Sequence, residues 1–517
     1  MIKNKQYYSC YIFEILTLTI ISSIFCFKFN IAYNEMDIFP YAQATFLNGL
    51  TENWHIHFKF PSNFIFNYTL GFFMSKFDPF SMIILARLVS YIMISFSYIY
   101  LSRVLKISFL ASTFNYVVFL YFFKNGIGDA GEWIIGGLES KVFAYSLVIF
   151  SLSSFLKFNY KRGFLFAGLA LSTHLLVGAY NLICLIPILS FGLINKKITF
   201  YKLMIACSYF IITGIIGISE IIHSAFSNIP KIIQEKGWDI YVNIRVPHHT
   251  IPNFSSDTWL KLSILTLITL IFINSKHTVK RLIASYSLLS VIIIIIGFTI
   301  YYFFESHYMR YYFFRFSDIM LPYLTLLLIT TFYKKLKYIY LLLIFLIIIP
   351  DLIYKNHFSE FTSVSSYSIN YIKEKTNSVQ HKTDNILDLK IMEWITKNTN
   401  KTDQFIVPPD NLYFCMNTER EIFVSWWMLP EQYDYKTVAD IPSDMIEWYE
   451  RLKRLNLNID FSSLNEVKRN YTKLNIKNIK SIKNKYKSVK YILMSNKIQL
   501  DLPIAIQANT QVLYYIN

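Results

Sequence analysis

The feature that most constrains this chain is a series of apolar runs that approach the length of a bilayer span. The stretch from Leu288 to Phe304 is one of them, and about 20 apolar residues form a helix long enough to cross the hydrocarbon core. Hydrophobic residues make up 54% of the 517 positions, and the mean hydropathy is +0.37. No water-soluble fold needs so much apolar surface. We therefore predict an α-helical polytopic membrane protein.

The apolar runs divide the first part of the chain into about eleven transmembrane helices. No small-residue cleavage site follows the first run, so we expect it to be retained as the first span. The division between the fifth and sixth runs is the least defined, since the two could also form one broken hairpin. The predicted spans are roughly residues 8–29, 80–101, 107–123, 139–157, 163–179, 180–194, 201–222, 257–274, 282–304, 316–333 and 337–353.

Basic residues predict the orientation of these spans. If the N-terminus is cytoplasmic, every inside loop is short and basic, as the positive-inside rule requires. Positive-inside topology therefore explains much of the formal net charge of +17, and we expect no nucleic-acid partner. The loops carry Arg103 and Lys106; Lys157, Lys161 and Arg162; Lys196 and Lys197; Lys276, Lys280 and Arg281; and Lys334, Lys335 and Lys337.

Eleven spans place the C-terminal region outside, in a periplasm or its equivalent. We predict a membrane domain over residues 1–353 and a soluble domain of α/β or α+β type over residues 354–517. Leu387 to Thr396 has an amphipathic helical pattern, and strands are predicted at 404–409, 421–426, 490–494 and 512–516. Cys415 is the single cysteine of this region, which excludes a disulfide within it.

The ionisable clusters fall in the predicted outside loops. A pore or transporter more often has such groups near the bilayer midplane, so their position favours an enzyme at the outer face. The candidates are Glu35 and Asp37 after the first span, Glu139 and Lys141, His174, Arg245 with His248 and His249, and Arg310 and Arg315. Alternative roles are helix capping for Glu35 and Asp37, packing for His174, and an exposed ion pair for Glu139 with Lys141.

The most unusual stretch is Arg245-Val246-Pro247-His248-His249. Its proline predicts an extended, rigid loop that presents Arg245 as a two-pronged donor to a phosphate or carboxylate. Adjacent histidines in an extended chain point to opposite sides, which favours direct hydrogen bonding over a shared divalent metal ion and leaves the metal as the alternative.

The glycines at 126, 128 and 131 match a Gly-x-Gly-x-x-Gly pattern. They join two spans and do not follow a strand, so a dinucleotide site is not expected. The pattern instead predicts close backbone approach at a turn near the membrane surface.

A membrane-surface carboxylate and a phosphate-binding arginine together suit the transfer of a sugar from a lipid-linked phosphate. The carboxylate would take the proton of an acceptor hydroxyl, and the arginine and histidines would stabilise the phosphate leaving group.

Several motifs resemble the GT-C superfamily of polyprenyl-phosphate-sugar glycosyltransferases, and more narrowly a bacterial GT-C-like group with an Arg-x-Pro-His-His loop. They are Gly137-Leu138-Glu139-Ser140-Lys141, Thr173-His174, Arg245 to His249, Trp394-Ile395 followed by Asn398-Thr399, and Phe405 to Pro408. The resemblance implies an inverting transfer, an isoprenoid-linked donor and an acidic base in the first outside loop. Here the chain has Glu35-Met36-Asp37 where the family usually has Asp-Asp or Asp-Glu. This difference leaves Asp37 and Glu35 both open as the base. We favour Asp37, because the family's usual carboxylate opens the helix after the first span.

The sequence therefore predicts an inner-membrane glycosyltransferase that acts at the periplasmic face in cell-envelope polysaccharide or glycolipid assembly. Its expected partners are a lipid-linked sugar donor and membrane lipid. A polymerase or ligase that joins lipid-linked oligosaccharides is the nearest alternative. A transporter or flippase and a non-catalytic scaffold are the others.

Overall fold

The computed structural model describes residues 2–27, 35, 63–128, 130–226, 229–252, 254–332, 388–411, 414, 418, 420–426 and 441–516. Asp37, the predicted span 337–353 and the predicted domain boundary between residues 353 and 354 lie outside these ranges.

Up to residue 332, the described residues form helices and the turns between them. The elements are α1 (Ile2–Cys26), α2 (Phe64–Met74), α3 (Pro79–Val104), α4 (Phe109–Phe123), α5 (Ser140–Leu156), α6 (Tyr160–Thr173), α7 (Leu175–Cys184), α8 (Ile186–Ile194), α9 (Phe200–Ala225), α10 (Lys231–Ile240), a π-helical turn (Tyr241–Arg245), α11 (Pro247–Thr250), α12 (Ser256–Ile273), α13 (Thr278–Phe303), a 3₁₀ helix (Ser306–Tyr311) and α14 (Arg315–Thr330).

Side-chain caps mark several of the helix starts. Asp78 accepts a hydrogen bond from the Ser81 amide just before α3, whose first residue is Pro79. Ser108, Asn159, Thr199 and Ser255 cap α4, α6, α9 and α12 in the same way. Each cap satisfies an amide that would otherwise lack a partner in the first turn.

Five segments of the described residues are long and apolar enough to cross a membrane: Ser81–Val104, Leu175–Ile194, Phe200–Ala225, Ser256–Ile273 and Thr278–Phe303. Shorter apolar helices accompany them, among them Tyr11–Cys26, Phe109–Phe123 and Ser140–Leu156. The chain is thus a multi-pass membrane protein, as predicted, whereas the count of eleven spans stays a prediction.

The break between the fifth and sixth predicted spans lies at His174, and the boundary predicted at 179/180 was wrong. His174 has an extended backbone, and its Nδ1 accepts from the Val177 amide, so it ends α6 and caps α7. Apolar periodicity continues through this point without interruption. The apolar pattern therefore does not indicate that the helix ends at His174.

Helix α14 is the central element of the bundle. Nearly all of its residues are buried, Pro322 included, and it packs against α4, α12 and α13. Its first turn contains Arg315 and Asp318. The position of α14 therefore brings two charged groups into the interior at one end of the bundle.

The C-terminal part is a small α/β unit, as predicted. It contains α15 (Leu389–Asn398), β1 (Gln404–Ile406), β2 (Glu421–Ile422), α16 (Ile441–Leu455), α17 (Leu464–Tyr471), α18 (Ile476–Lys485), β3 (Val489–Ser495), β4 (Ile504–Gln507) and β5 (Gln511–Tyr515). The strand order is β2-β1-β3-β5-β4. β1 is parallel to β2 and β3, whereas β5 is antiparallel to β3 and β4.

Both faces of the sheet are covered. Alternate β3 residues point to opposite faces, so Ile492 and Met494 pack with the core of α16–α18, while Tyr491 and Leu493 pack with α15. Helix α10 packs on the outer side of α16, which joins the α/β unit to the membrane bundle.

Candidate functional site

The glycine-rich loop after α4 encloses a carboxylate. Asp318 is fully buried, and its Oδ1 accepts hydrogen bonds from the amides of Ile127 and Gly128 (3.0 Å for the latter). Its Oδ2 accepts from the amides of Ala130 (3.4 Å) and Glu132 (3.3 Å). The close approach predicted for the glycines is therefore to a side chain of the same chain.

Gly126 shows why glycine is needed in this loop. Its φ is +70°, and a Cβ there would lie about 2.5 Å from the carboxyl atoms of Asp318. Neither the backbone conformation nor the space admits a side chain.

Glu132 lies between two cations at the end of the same loop. It is 1% exposed, and one of its oxygens accepts a hydrogen bond from Nε of Arg315. The other lies 3.4 Å from Nζ of Lys141, which also lies 2.9 Å from Oε2 of Glu139. Since burying an unpaired charge costs several kcal/mol, these four side chains hold the loop, α5 and α14 together.

Lys141 is thus a buried member of an ion cluster. Its side chain is 2% exposed, its ammonium lies 4.3 Å from the centre of the Trp133 ring, and Glu139 is 21% exposed. The interpretation of Glu139 and Lys141 as an exposed ion pair was therefore wrong, because the sequence does not reveal the loop that covers them.

His174 joins this cluster from the junction of α6 and α7. Together with Glu132, Arg315 and Tyr312, it lines a cavity of about 10 Å³, which has room for about one water molecule. Because its Nδ1 accepts a hydrogen bond from the Val177 amide, the ring proton is on Nε2. His174 is therefore a hydrogen-bond donor at its second nitrogen.

His249 has the opposite tautomer. Its Nδ1 lies 2.6 Å from the carbonyl oxygen of Ala130, and a carbonyl can only accept, so Nδ1 carries the proton and Nε2 is an acceptor. Burial, with the nearby positive charge of Arg315, lowers the pKa of His249 to about 2. His249 is therefore neutral at physiological pH and presents no donor to a phosphate.

The Arg245–His249 segment is helical, and the prediction of an extended loop was wrong. Arg245 ends the π-helical turn, and Pro247 opens α11. Proline is favoured at the first helical position because its missing N–H has no partner there. Thr250 closes the turn, since its hydroxyl donates to the carbonyls of Val242 (2.8 Å) and Val246 (3.0 Å).

In this helical turn the centres of the His248 and His249 rings are 4.0 Å apart. Two neighbouring imidazoles are too few for a metal site by themselves, and the described part of the chain contains no group of three or more His, Cys, Asp or Glu side chains placed to hold a metal ion.

Two further arginines lie against aromatic rings on the flank of the cluster. Arg310 lies 4.8 Å from the Trp238 ring, and Arg245 lies 5.9 Å from the Trp448 ring of the α/β unit.

Arg315 lies 4.8 Å from the ring of Tyr312, whose hydroxyl is hydrogen-bonded to that of Tyr241. The positive charges of Arg315 and Arg245 both act on Tyr312, although burial is the largest influence and raises its pKa.

Glu35 lies in a buried ion pair. Arg87 Nε donates to its Oε1 at 2.6 Å, a second guanidinium nitrogen donates to Oε2, and the amide of Leu138 donates to Oε1 at 2.7 Å. Both side chains are 1% exposed or less. Glu35 thus connects α3 to the residue just before Glu139.

The structure brings together Glu139, Lys141, His174, His249 and Arg315, with Arg245, Arg310 and the exposed His248 at the flank. Sequence reasoning did not select four contributors: Arg87, Glu132, Tyr312 and Asp318. A charged residue inside an apolar run is costly and usually functional. That rule would have identified Arg87 and Asp318.

Comparison with known proteins finds a similar family model and similar solved structures. Residues 388–455 match a family described as "Domain of unknown function (DUF6798)". The crystal structure of ArnT from Cupriavidus metallidurans bound to undecaprenyl phosphate aligns with 99% of this chain and 98% of that chain, at 10% sequence identity and a TM-score of 0.42. No curated protein matches the sequence. The similarity to ArnT is too low to transfer its chemistry.

Acidification is expected to destabilise the fold through His249. The pKa of His249 in the folded protein, about 2, lies below the ordinary value of 6.5, so the unfolded chain binds more protons than the folded one. The free energy of unfolding therefore decreases as the pH falls below about 6.5. His249→Asn places an amide donor near the position of Nδ1 and cannot titrate, so it should show a smaller drop in Tm between about pH 8 and about pH 5.5.

Tm of the purified protein in detergent, measured at several pH values, checks this. His248→Asn is the matched control, because His248 is exposed and should contribute less. Equal pH dependence in the wild type and His249→Asn would contradict the prediction.

Proposed function

We propose that this protein is a membrane glycosyltransferase that takes a sugar from a polyprenyl-phosphate-linked donor. The proposed location is the bacterial inner membrane, with the N-terminus in the cytoplasm and the site at the periplasmic face. The proposed process is cell-envelope polysaccharide or glycolipid assembly. The motif resemblance supports this assignment, and so does the site geometry.

The observation that carries the proposal is the cluster of Glu132, Glu139, Lys141, His174 and Arg315. These residues come from separate segments of the chain and meet at one end of an apolar bundle. A scaffold gains nothing from several buried charges, because apolar side chains of similar size would be equally or more stable. A transporter would more often have them near the bilayer midplane.

The distribution of charge in the cluster supports a position for the donor phosphate. Glu132 and Glu139 (−2) balance Lys141 and Arg315 (+2), so these four side chains sum to zero. Arg245 lies at the edge of this group, where its charge acts on His248 and Tyr312, and Arg310 lies against the Trp238 ring. We place the donor phosphate at Arg245, with His248 as a further donor, and assign His249 the task of holding α11 against the glycine-rich loop.

Asp37 is the proposed base. Both oxygens of Glu35 already accept hydrogen bonds from Arg87 and the Leu138 amide. Glu35 would have to break these bonds before it could take a proton from an acceptor hydroxyl. We therefore assign Glu35 an anchoring role for the first loop, and we propose an inverting transfer that follows from a single displacement.

The proposed function is tested in a deletion strain. Without the enzyme, the polyprenyl-phosphate-sugar donor should accumulate, and the envelope glycan should lack one sugar. Mass spectrometry of extracted lipids distinguishes this from loss of a polymerase, which would instead leave a complete oligosaccharide repeat on the lipid. An unchanged lipid-linked pool would contradict both.

Arg245→Lys is expected to raise the donor KM about tenfold or more with little change in protein level. Lysine keeps the charge but loses the planar fork that binds two phosphate oxygens. Initial rates at limiting donor in membranes of equal protein content measure the effect. Lys236→Arg, at an exposed site on α10, is the control. Full activity of Arg245→Lys at limiting donor would show that Arg245 does not bind the phosphate.

A further inference from the structure

Helix α10 is packed on α16 with no space between the two backbones. A Cβ on Gly237 would lie 2.1 Å from the carbonyl oxygen of Pro442 and 2.3 Å from its Cα. Two backbones approach this closely only where one residue is glycine. The contact joins the membrane bundle to the α/β unit directly at the start of α16.

The chain just after Gly237 enters the core of the α/β unit. Ile240 is buried in the same cluster as Trp448, Leu452 and Ile492, and Tyr241 and Ile244 pack against it. The π-helical turn that ends at Arg245 is therefore supported by the α/β unit as well as by the membrane helices.

Arg245 itself lies beside a ring that is buried in the core of the α/β unit. Its guanidinium carbon is 5.9 Å from the centre of the Trp448 ring, within the range in which a cation is attracted to an aromatic face. Trp448 is fully buried, packs on Trp426 at 5.3 Å, and donates from Nε1 to the carbonyl of Ser425 at 2.9 Å.

We propose that the α/β unit is part of the donor-phosphate site, with Trp448 as the positioning residue that orients Arg245. This inference rests on the proposed function, since it assigns the phosphate to Arg245. It gives the α/β unit a role within the site itself. Trp448 touches no substrate and acts through the guanidinium alone.

The first test measures binding of polyprenyl phosphate, without a sugar, to the full-length protein in nanodiscs. Trp448→Leu removes the aromatic face and should weaken binding of polyprenyl phosphate about tenfold. Trp448→Phe retains an aromatic face and should keep most of the wild-type affinity. Tyr471→Leu is the matched control, because it removes a buried ring from the same core, and the hydroxyl of Tyr471 donates to the carbonyl of Leu493. Tyr471→Leu should lower Tm to a similar extent and change binding less than about twofold.

Equal loss of binding in Trp448→Leu and Tyr471→Leu would show a structural role only and overturn the inference. Wild-type binding by Trp448→Leu would overturn it as well. Arg245→Ala separates this failure from that of the proposed function. If Arg245→Ala weakens binding and Trp448→Leu does not, the phosphate site stands and the positioning role fails. If Arg245→Ala binds normally, both fail.

The second test perturbs the docking of the α/β unit instead of the Trp448 ring. Gly237→Ala should separate α10 from α16, so that limited proteolysis cuts the α/β unit free faster and polyprenyl phosphate binds more weakly. Lys236→Ala, one residue away and exposed, should do neither. Faster cleavage in Gly237→Ala with unchanged binding would overturn the claim that docking of the unit positions Arg245.

Discussion

Asp37→Asn is expected to lower turnover by about a hundredfold or more while leaving the protein in the membrane at its normal level. Loss of a general base typically costs this much, and asparagine keeps the size of the side chain while it removes the proton acceptor. Sugar transfer by purified protein, with saturating donor and acceptor, measures the effect. Binding of polyprenyl phosphate should be retained, since the base acts on the acceptor.

Glu35→Gln tests whether Glu35 rather than Asp37 is the base. Glutamine leaves Arg87 charged and buried without its carboxylate, which costs about 3–5 kcal/mol. We therefore expect a lower protein level and a lower Tm, with near-normal turnover per folded molecule. Adding Arg87→Met removes the buried guanidinium as well and should recover much of the stability. If Glu35→Gln is well folded and dead while Asp37→Asn is active, the two roles are exchanged. If both variants are active, the proposed mechanism is wrong.

Asp318→Asn is expected to destabilise the bundle by about 3 kcal/mol or more and to abolish activity. The carboxylate accepts from four backbone amides, and an asparagine would turn its own N–H groups towards two of them. Buried donors left without acceptors cost about 1–3 kcal/mol each. Because Glu132 is in the same loop, the cluster with Arg315 and Lys141 would also lose its geometry.

Thermal unfolding in detergent tests this prediction. Gly126→Ala should give a similar loss by a different route, because its Cβ would meet the Asp318 carboxyl group. Ser317→Ala is the matched control: Ser317 is equally buried and makes one side-chain contact of 3.2 Å, to Ser290, so about 1 kcal/mol is expected. A wild-type Tm for Asp318→Asn would show that the amide loop does not depend on this carboxylate.

Particular residues show where sequence reasoning reached its limit. The sequence selected Lys141 and His174 as site residues, and the structure places them within one cluster. We predicted an extended conformation for Arg245 to His249 because proline disfavours the helix interior. Pro247 instead occupies the first helical position, where proline is favoured. The role of the glycines at 126–131 was predicted as close backbone approach, but their partner, Asp318, lies about 190 residues away, and no local pattern indicates it.

The sequence by itself determined that this chain spans a membrane repeatedly and ends in a small α/β unit. Bilayer-length apolar runs and alternating strands are local patterns, and backbone hydrogen bonding in lipid leaves helices as the solution for such runs. Only the tertiary structure decided which charges neutralise one another. The pairing of Glu35 with Arg87, of Glu132 with Lys141 and Arg315, and of Gly237 with the backbone of Pro442 depends on how distant helices pack. A charge must be paired once it is buried, but the sequence does not specify which partner the packing brings to it.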